Sequence, residues 1–120
     1  GDIAKVEELK AKGLNLSVTD LEKNSVLHIA AKNGQKEMMN YLIAEGLYLN
    51  AQNLKGETAL HLAAFHNKQS IIKKLVVSGA DVLIKDAFGV YASERTNYFA
   101  FKTRTFLRRS QTLEKIKRRK

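Results

Sequence analysis

The chain has 120 residues, of which 44% are hydrophobic and 28% charged, and its formal net charge is +9. These proportions are ordinary for a soluble domain of modest size, and no apolar run approaches the ~20 residues that a membrane-spanning helix needs. The chain contains no cysteine, which excludes a disulfide framework and thiolate metal sites.

A short motif recurs at a fixed distance along the chain. Leu-His-Ile-Ala-Ala at 27–31 returns as Leu-His-Leu-Ala-Ala at 60–64, which is 33 residues later. The same step separates Gly13, Gly46 and Gly79, and it separates Asp20, Asn53 and Asp86. A period of this size indicates stacked repeats, in which each unit needs a neighbour to bury its apolar face.

The first predicted element is a helix that begins in the middle of a unit. Gly1 aligns with Gly34 one period on, so the helix opening at 1–3 corresponds to the second helix of a repeat whose first helix is missing. We expect Val6 and Leu9 to form its inward face and Gly13 to end it. This start predicts that the chain is a fragment or has a truncated cap.

Each of the next two units predicts a pair of helices. Leu60, Ala63 and Ala64 lie at i, i+3 and i+4, the spacing of one helix face, and the apolar residues of 71–76 repeat that spacing on a second helix. Ser25 and Thr58 are suited to cap the first helices through their hydroxyl groups. Gly79 follows the second helix, where a left-handed cap needs no Cβ.

The unit resembles the ankyrin repeat, whose pattern is a turn, Thr-Pro-Leu-His-x-Ala-Ala, a second helix and Gly-Ala-Asp. The best copy starts at Asn53, reads Thr-Ala-Leu-His-Leu-Ala-Ala at 58–64 and ends with Gly-Ala-Asp at 79–81. Both proline positions differ, as Val26 and Ala59. The resemblance covers residues 1 to about 97 and implies an all-α solenoid of helix–turn–helix units with short β-turn fingers.

On this frame we divide the chain into five segments. A partial N-terminal repeat (1–19) precedes two complete repeats (20–52 and 53–85), a degenerate terminal repeat (86–100) and a basic amphipathic helical segment (101–120). In the last two segments the Leu-His position becomes Ser93-Glu94, and Arg104, Thr105, Arg108 and Arg109 replace the apolar residues of the second helix.

A different periodicity runs from the degenerate repeat into the C-terminal segment. Thr96, Phe99, Thr103, Phe106, Ser110 and Leu113 step alternately by three and four. No glycine or proline interrupts the chain from Tyr91 onward. We therefore predict one longer helix, or two in near-continuity, that acts as an atypical cap on the stack.

The charge is concentrated in the last twenty residues. Residues 101–120 hold nine Lys and Arg against Glu114 alone, so the repeats before them are nearly neutral. The basic segment could be a solvated helix face, or it could contact an acidic protein, a nucleic acid or an anionic lipid surface. The residues assigned to such a contact are Arg104, Arg108, Arg109, Lys117, Arg118, Arg119 and Lys120.

Positions that vary between the units are candidates for partner contact. By the architecture that the resemblance implies, they line the finger tips and the concave helix face, and several are apolar where a plain scaffold would be polar. Local packing of Phe88 and Leu54 against the neighbouring turn is the alternative. The candidate residues are Leu21, Glu22, Asn24, Lys32, Asn33, Leu54, Lys55, Glu57, Phe65, His66 and Phe88, with Ala87 and Val90 as further variable turn positions.

The sequence contains no recognisable catalytic or cofactor constellation. His28 and His61 are equivalent under the repeat, so we interpret them as structural histidines that hydrogen-bond backbone between units, not as metal ligands. No nucleophile–base pair, carboxylate pair or glycine-rich phosphate loop is apparent. We expect no enzyme activity, cofactor or small-molecule substrate.

The leading hypothesis is therefore a non-catalytic protein–protein interaction module, whose partner lies across the finger tips and the concave helix face. One alternative is anchoring of residues 101–120 to nucleic acid or anionic membrane. Another is that the chain is the scaffold part of a larger enzyme or channel. We expect an intracellular protein in the cytoplasm, with Lys117–Lys120 as a weak nuclear-import signal.

Overall fold

The computed structural model describes residues 3–13, 15–96 and 101–119. Within these ranges the regular elements are helices, accompanied by an isolated antiparallel bridge between Thr19 and Ser25. The predicted all-α architecture is therefore confirmed. The helices are α1 (Ile3–Ala11), α2 (Val26–Asn33), α3 (Lys36–Ala44), α4 (Ala59–Phe65), α5 (Gln69–Val77), a 3₁₀ helix (Ala92–Arg95) and α6 (Phe101–Arg118).

The first helices of the two complete repeats start as predicted. The hydroxyl oxygens of Ser25 and Thr58 accept hydrogen bonds from the backbone N–H groups of His28 and His61, at 3.4 and 3.3 Å. These bonds satisfy donors that the first turn of a helix leaves unpaired. At the other end of the second repeat, Gly79 adopts φ +100° just beyond α5, as expected for a left-handed helix terminus.

The core forms where the helices of adjacent repeats meet. Ala30, Ala31, Ala63 and Ala64 are fully buried, and such small side chains let neighbouring helices approach closely. The second helices add larger side chains. The apolar residues buried in this one core are Leu16, Leu27, Ala30, Ala31, Met38, Met39, Leu42, Ala59, Leu60, Ala63, Ala64, Ile71, Ile72, Leu75, Val82, Ala92 and Leu107.

Helix α1 packs through a different stripe from the predicted one. Ile3 and Val6 pack against the core, but Leu9 is 38% exposed, so the inward placement predicted for Leu9 is wrong. The contact face follows the spacing of residues 3, 6 and 10, and Lys10 pairs with Glu45 at the end of α3. Leu9 lies beside that stripe. Gly1 and Asp2 fall outside the described residues.

The C-terminal region is not one continuous helix. Thr96 ends the 3₁₀ helix in an extended conformation, with ψ 147°, so the single-helix alternative is wrong. The hydroxyl of Thr96 donates to the carbonyl of Ser93 at 2.9 Å and accepts from Nε of Arg104 at 2.9 Å. These bonds connect the end of the 3₁₀ helix to α6. The near-continuity alternative depends on 97–100, which lie outside the described residues.

Helix α6 covers the end of the stack with a buried face centred on Leu107. Leu107 is 0% exposed, and Thr103 and Gln111 are buried one turn before and after it. Leu113, which belongs to the 3–4 pattern noted in the sequence, is 56% exposed and lies away from this buried face. The equivalent of Leu75 is Arg108, so α6 buries a face about one residue out of phase with α5.

Polar side chains attach α6 to the preceding repeat. The amide of Gln111 donates to the carbonyl of Val82 at 3.3 Å and its oxygen accepts from the Ser93 hydroxyl at 3.2 Å. The Thr103 hydroxyl donates to the side-chain oxygen of Asn67 at 3.0 Å. Among the described residues, no buried side-chain N or O atom lacks a partner. The cap is therefore joined to the stack by specific contacts as well as by apolar burial.

Replacing Leu107 with Ala should remove a fully buried side chain and leave a cavity between α6 and the stack. We expect the free energy of unfolding to fall by about 2–5 kcal/mol. The matched variant Leu113→Ala should lose less than about 1 kcal/mol, since Leu113 faces solvent. Urea denaturation of both variants measures the difference. Equal losses would show that the buried face of α6 is misassigned.

Candidate partner-binding groove

The three finger turns are built by the same side-chain hydrogen bonds. The Oδ1 atom of Asn53 accepts from the backbone N–H groups of Lys55 and Glu57, at 3.0 and 2.9 Å. Asp20 and Asp86 accept in the same way from the residues two and four positions further on. A short polar side chain can thus hold a tight turn without a strand partner, which explains why these positions follow the period.

Neighbouring fingers are connected to one another through backbone. The N–H of Leu54 donates to the carbonyl of Glu22, and the N–H of Ala87 donates to that of Lys55, both at 2.9 Å. Gly56 lies at this junction with φ +73°, and a Cβ built on it would come within 2.5 Å of the Ala87 nitrogen. The fingers therefore form a continuous rim, and Gly56 permits their close approach.

The two repeat histidines connect each unit to the next finger. Nε2 of His28 donates to the carbonyl of Glu57 at 2.7 Å, and Nε2 of His61 donates to the carbonyl of Val90 at 2.9 Å. The Nδ1 atom of His28 accepts from the backbone N–H of Ser25 at 3.0 Å, which fixes the tautomer. The structural interpretation of both histidines is confirmed.

Each of these histidines also contacts a hydroxyl group, in the manner of a nucleophile–base pair. The Oγ of Ser25 lies 2.9 Å from Nδ1 of His28, and Oγ1 of Thr58 lies 2.9 Å from Nδ1 of His61. Both imidazoles are 1% exposed, and Nε2 is already bonded to a carbonyl. These pairs close helix caps and present no group to a substrate.

Fingers and first helices together enclose a concave groove of about 690 Å³. Its lining combines acidic, basic and aromatic side chains from all three fingers and from the ends of α2 and α4. Nine of the eleven candidate contact residues lie on its surface. They are Glu22, Asn24, Lys32, Asn33, Lys55, Glu57, Phe65, His66 and Phe88.

The remaining two candidates, Leu21 and Leu54, are exposed at the finger tips and do not line the groove. Conversely, the sequence interpretation missed Ile29, Leu62 and Arg95. Ile29 and Leu62 occupy the x position of Leu-His-x-Ala-Ala, so the period could have identified them as equivalent lining residues. Arg95 reaches the groove from the 3₁₀ helix, where the repeat pattern has already degenerated.

Two aromatic contacts stand out in the groove. The rings of Phe65 and His66 meet edge to face, with centroids 5.0 Å apart, and the guanidinium of Arg95 lies 5.6 Å from the centroid of Phe88. Phe65 and Phe88 nevertheless remain 58% and 77% exposed. Packing against the neighbouring turn, which is the alternative interpretation of Phe88, therefore covers only a small part of this side chain.

The charges of the groove are partly fixed by internal pairs. Arg95 donates from Nε to Oδ2 of Asp86 at 2.8 Å. Burial opposes ionisation of Asp86, but the Arg95 hydrogen bonds and the finger N–H groups outweigh it and lower the pKa of that carboxyl. Burial first, and then the nearby Lys32 and Lys68, lower the pKa of His66. His66 is therefore predominantly neutral at pH 7.

The residues assigned to anion contact are divided between internal and outward roles. Arg118 pairs with Asp81 at 2.9 Å, and Nε of Arg104 contacts Thr96. Both thus help to hold α6 in place. The side chains of Arg108, Arg109, Lys117 and Arg119 are exposed. Lys120 lies outside the described residues.

The chain belongs to the ankyrin-repeat family. The family described as Ankyrin repeats (3 copies) matches residues 1–86, which is most of the chain. No curated protein matches the chain significantly. Ankyrin repeats are generally protein–protein interaction modules and are typically non-catalytic.

Among the described residues, no helix combines the length and apolarity needed to cross a membrane. Within the same ranges, no group of three or more His, Asp or Glu side chains is placed to hold a metal ion.

The buried histidines should make stability depend on pH. Burial lowers the pKa of His28 and His61 below 6.5, although the carbonyls of Glu57 and Val90 and the nearby carboxylates oppose this shift. The unfolded chain takes up these protons near pH 6.5. The stability gained by keeping the rings neutral is therefore complete above that pH and is lost as the pH falls toward the folded-state values.

We expect urea denaturation at pH 7.5 and 5.5 to show lower stability at the acidic value, with each histidine contributing at most about 1.4 kcal/mol per pH unit. His61→Gln should reduce this difference. The carboxyl pKa values of Asp20 and Asp86 are lowered from 3.8, so these two groups change the stability of the fold only at lower pH. The same stability at both pH values would contradict the buried neutral assignment.

Proposed function

We propose that the groove binds another polypeptide, with the finger rim and the ends of α2 and α4 as the contact surface. The observation that supports this most directly is the exposure of Phe65 and Phe88 on one concave surface. Exposed apolar groups that share one concave surface are typical of interaction sites, and aromatic side chains contribute strongly at the centre of protein interfaces.

The polar lining suits recognition of a peptide backbone and its charges. Lys32 and Lys55 offer ammonium groups, Glu22 and Glu57 offer carboxylates, and Asn33 offers an amide. A mixed lining of this kind favours a partner with both charges and apolar side chains over a purely acidic or basic one. Complementary charges at such a surface mainly determine specificity and association rate.

The groove is also held in shape before any partner arrives. Its rim is fixed by hydrogen bonds between fingers, and its floor rests on helices whose inner faces are fully buried. A preformed surface loses little conformational entropy when it binds. The proposed mechanism is therefore docking onto a rigid surface, without catalysis.

The test is affinity capture from a cell lysate with quantitative mass spectrometry. Phe65→Ala/Phe88→Ala should lose the specific partner, because two aromatic anchors together contribute at least about 2 kcal/mol, or a roughly 30-fold change in affinity. The matched control Val18→Ala/Tyr48→Ala removes two exposed hydrophobic side chains that do not line the groove.

Thermal melting must show that both variants fold like the wild-type chain. Proteins retained by the wild type and by the control, but lost by the groove variant, would support the proposal. Identical sets of retained proteins for all three chains would overturn it.

A further inference from the structure

The outward surface of α6 carries cations that form no ion pair with an acidic side chain of the described residues. Among the described residues, no carboxylate lies within salt-bridge distance of these side chains, and the single acid of the helix, Glu114, faces Arg118 at 3.6 Å. We define this surface as the basic face. Its cations are Lys102, Arg108, Arg109, Lys117 and Arg119.

Aliphatic side chains lie within the basic face. With 3.6 residues per turn, Arg109, Leu113 and Ile116 project within about 60° of one another, and Arg108 and Lys117 project about 90° to either side. Leu113 and Ile116 are both exposed. The face therefore has an apolar centre line with cations on it and along both edges.

The neighbouring helix extends this apolar strip. Val77, at the end of α5, is 83% exposed and lines the same shallow depression as Leu113 and Lys117. Lys73 of α5 lines a second depression with Lys102 and Phe106. Exposed aliphatic groups and cations thus continue from α6 onto α5.

This chemistry distinguishes between the anionic ligands that could cover the face. Single-stranded nucleic acid is bound by aromatic rings on which bases stack, whereas the exposed apolar groups of the described basic face are aliphatic. An interfacial helix has the composition seen here, since its aliphatic side chains enter the headgroup boundary while Lys and Arg contact anionic headgroups. Long cationic side chains at the edges can extend toward the headgroups from either side.

We propose that the basic face of α6 rests on a bilayer that contains anionic lipid. Arg109 and the edge cations contact the headgroups, and Leu113, Ile116 and Val77 enter the interfacial layer. The helix lies in the membrane plane and does not cross it. The basic face shares no residue with the partner-binding groove, so this function is additional to the one proposed above and can fail independently of it.

Both components of the face are needed for binding. Each Lys or Arg near an anionic surface strengthens membrane association about fivefold. The cations should therefore make binding depend on lipid charge and on salt, because screening shortens their reach. The aliphatic side chains should add a contribution that salt does not remove.

Vesicle co-sedimentation of the full chain tests the proposal. We expect binding to phosphatidylcholine vesicles that contain about 30% phosphatidylserine, and little binding to phosphatidylcholine alone. Arg109→Gln/Lys117→Gln should weaken binding about 25-fold. The control Lys12→Gln/Lys36→Gln removes the same charge from α1's end and from α3, and it should change binding less than about twofold.

A second pair of measurements separates the membrane from nucleic acid. Leu113→Ser/Ile116→Ser should reduce vesicle binding while the melting temperature stays unchanged, since neither side chain belongs to the core. Equal binding to both vesicle compositions, equal losses in the two charge variants, or binding to a DNA duplex without binding to anionic vesicles would each overturn the proposal.

Discussion

The fold depends on a buried imidazole that connects one repeat to the next. His28 and His61 each accept at Nδ1 from the start of their own helix and donate from Nε2 to a carbonyl 29 residues further along the chain. A neutral imidazole has one donor and one acceptor, so both are fully used. The carbonyls that receive these bonds belong to the following finger turns. The orientation of each finger, and with it the rim of the groove, is therefore set by the preceding repeat.

The last unit shows how this series of hydrogen bonds between repeats ends. The third finger is held by Arg95, whose guanidinium pairs with the carboxylate of Asp86. The 3₁₀ helix occupies the position that a first helix has in the complete repeats. Helix α6 then covers the exposed end of the core through Leu107. Because α6 buries a narrow stripe, most of its cations remain on the outside. The two proposed binding surfaces thus arise from different parts of the fold: the groove from regular repeats, and the basic face from their termination.

The 33-residue repeat determined which features of the fold and of the groove could be predicted from the sequence. Helix pairs, the caps at Ser25 and Thr58 and the two structural histidines followed from the 33-residue period, because equivalent residues meet equivalent neighbours. The inward faces of α1 and α6 did not, since each packs on one side only and a single 3–4 pattern does not decide which stripe is buried. Leu9 was misplaced for this reason. The part played by Arg95 in the groove depends on a contact with Asp86 nine residues earlier, which no local pattern encodes.

The tautomeric state of the histidines, observed by long-range ¹H–¹⁵N NMR at pH 7, tests directly whether buried imidazoles connect the repeats. His66, which lies outside the repeat position, serves as an internal reference for a ring that is not locked between two backbone groups. If these imidazoles connect the repeats, His28 and His61 are neutral, carry the proton on Nε2 and exchange it slowly with solvent. A proton on Nδ1, or rapid exchange between tautomers at either residue, would contradict it.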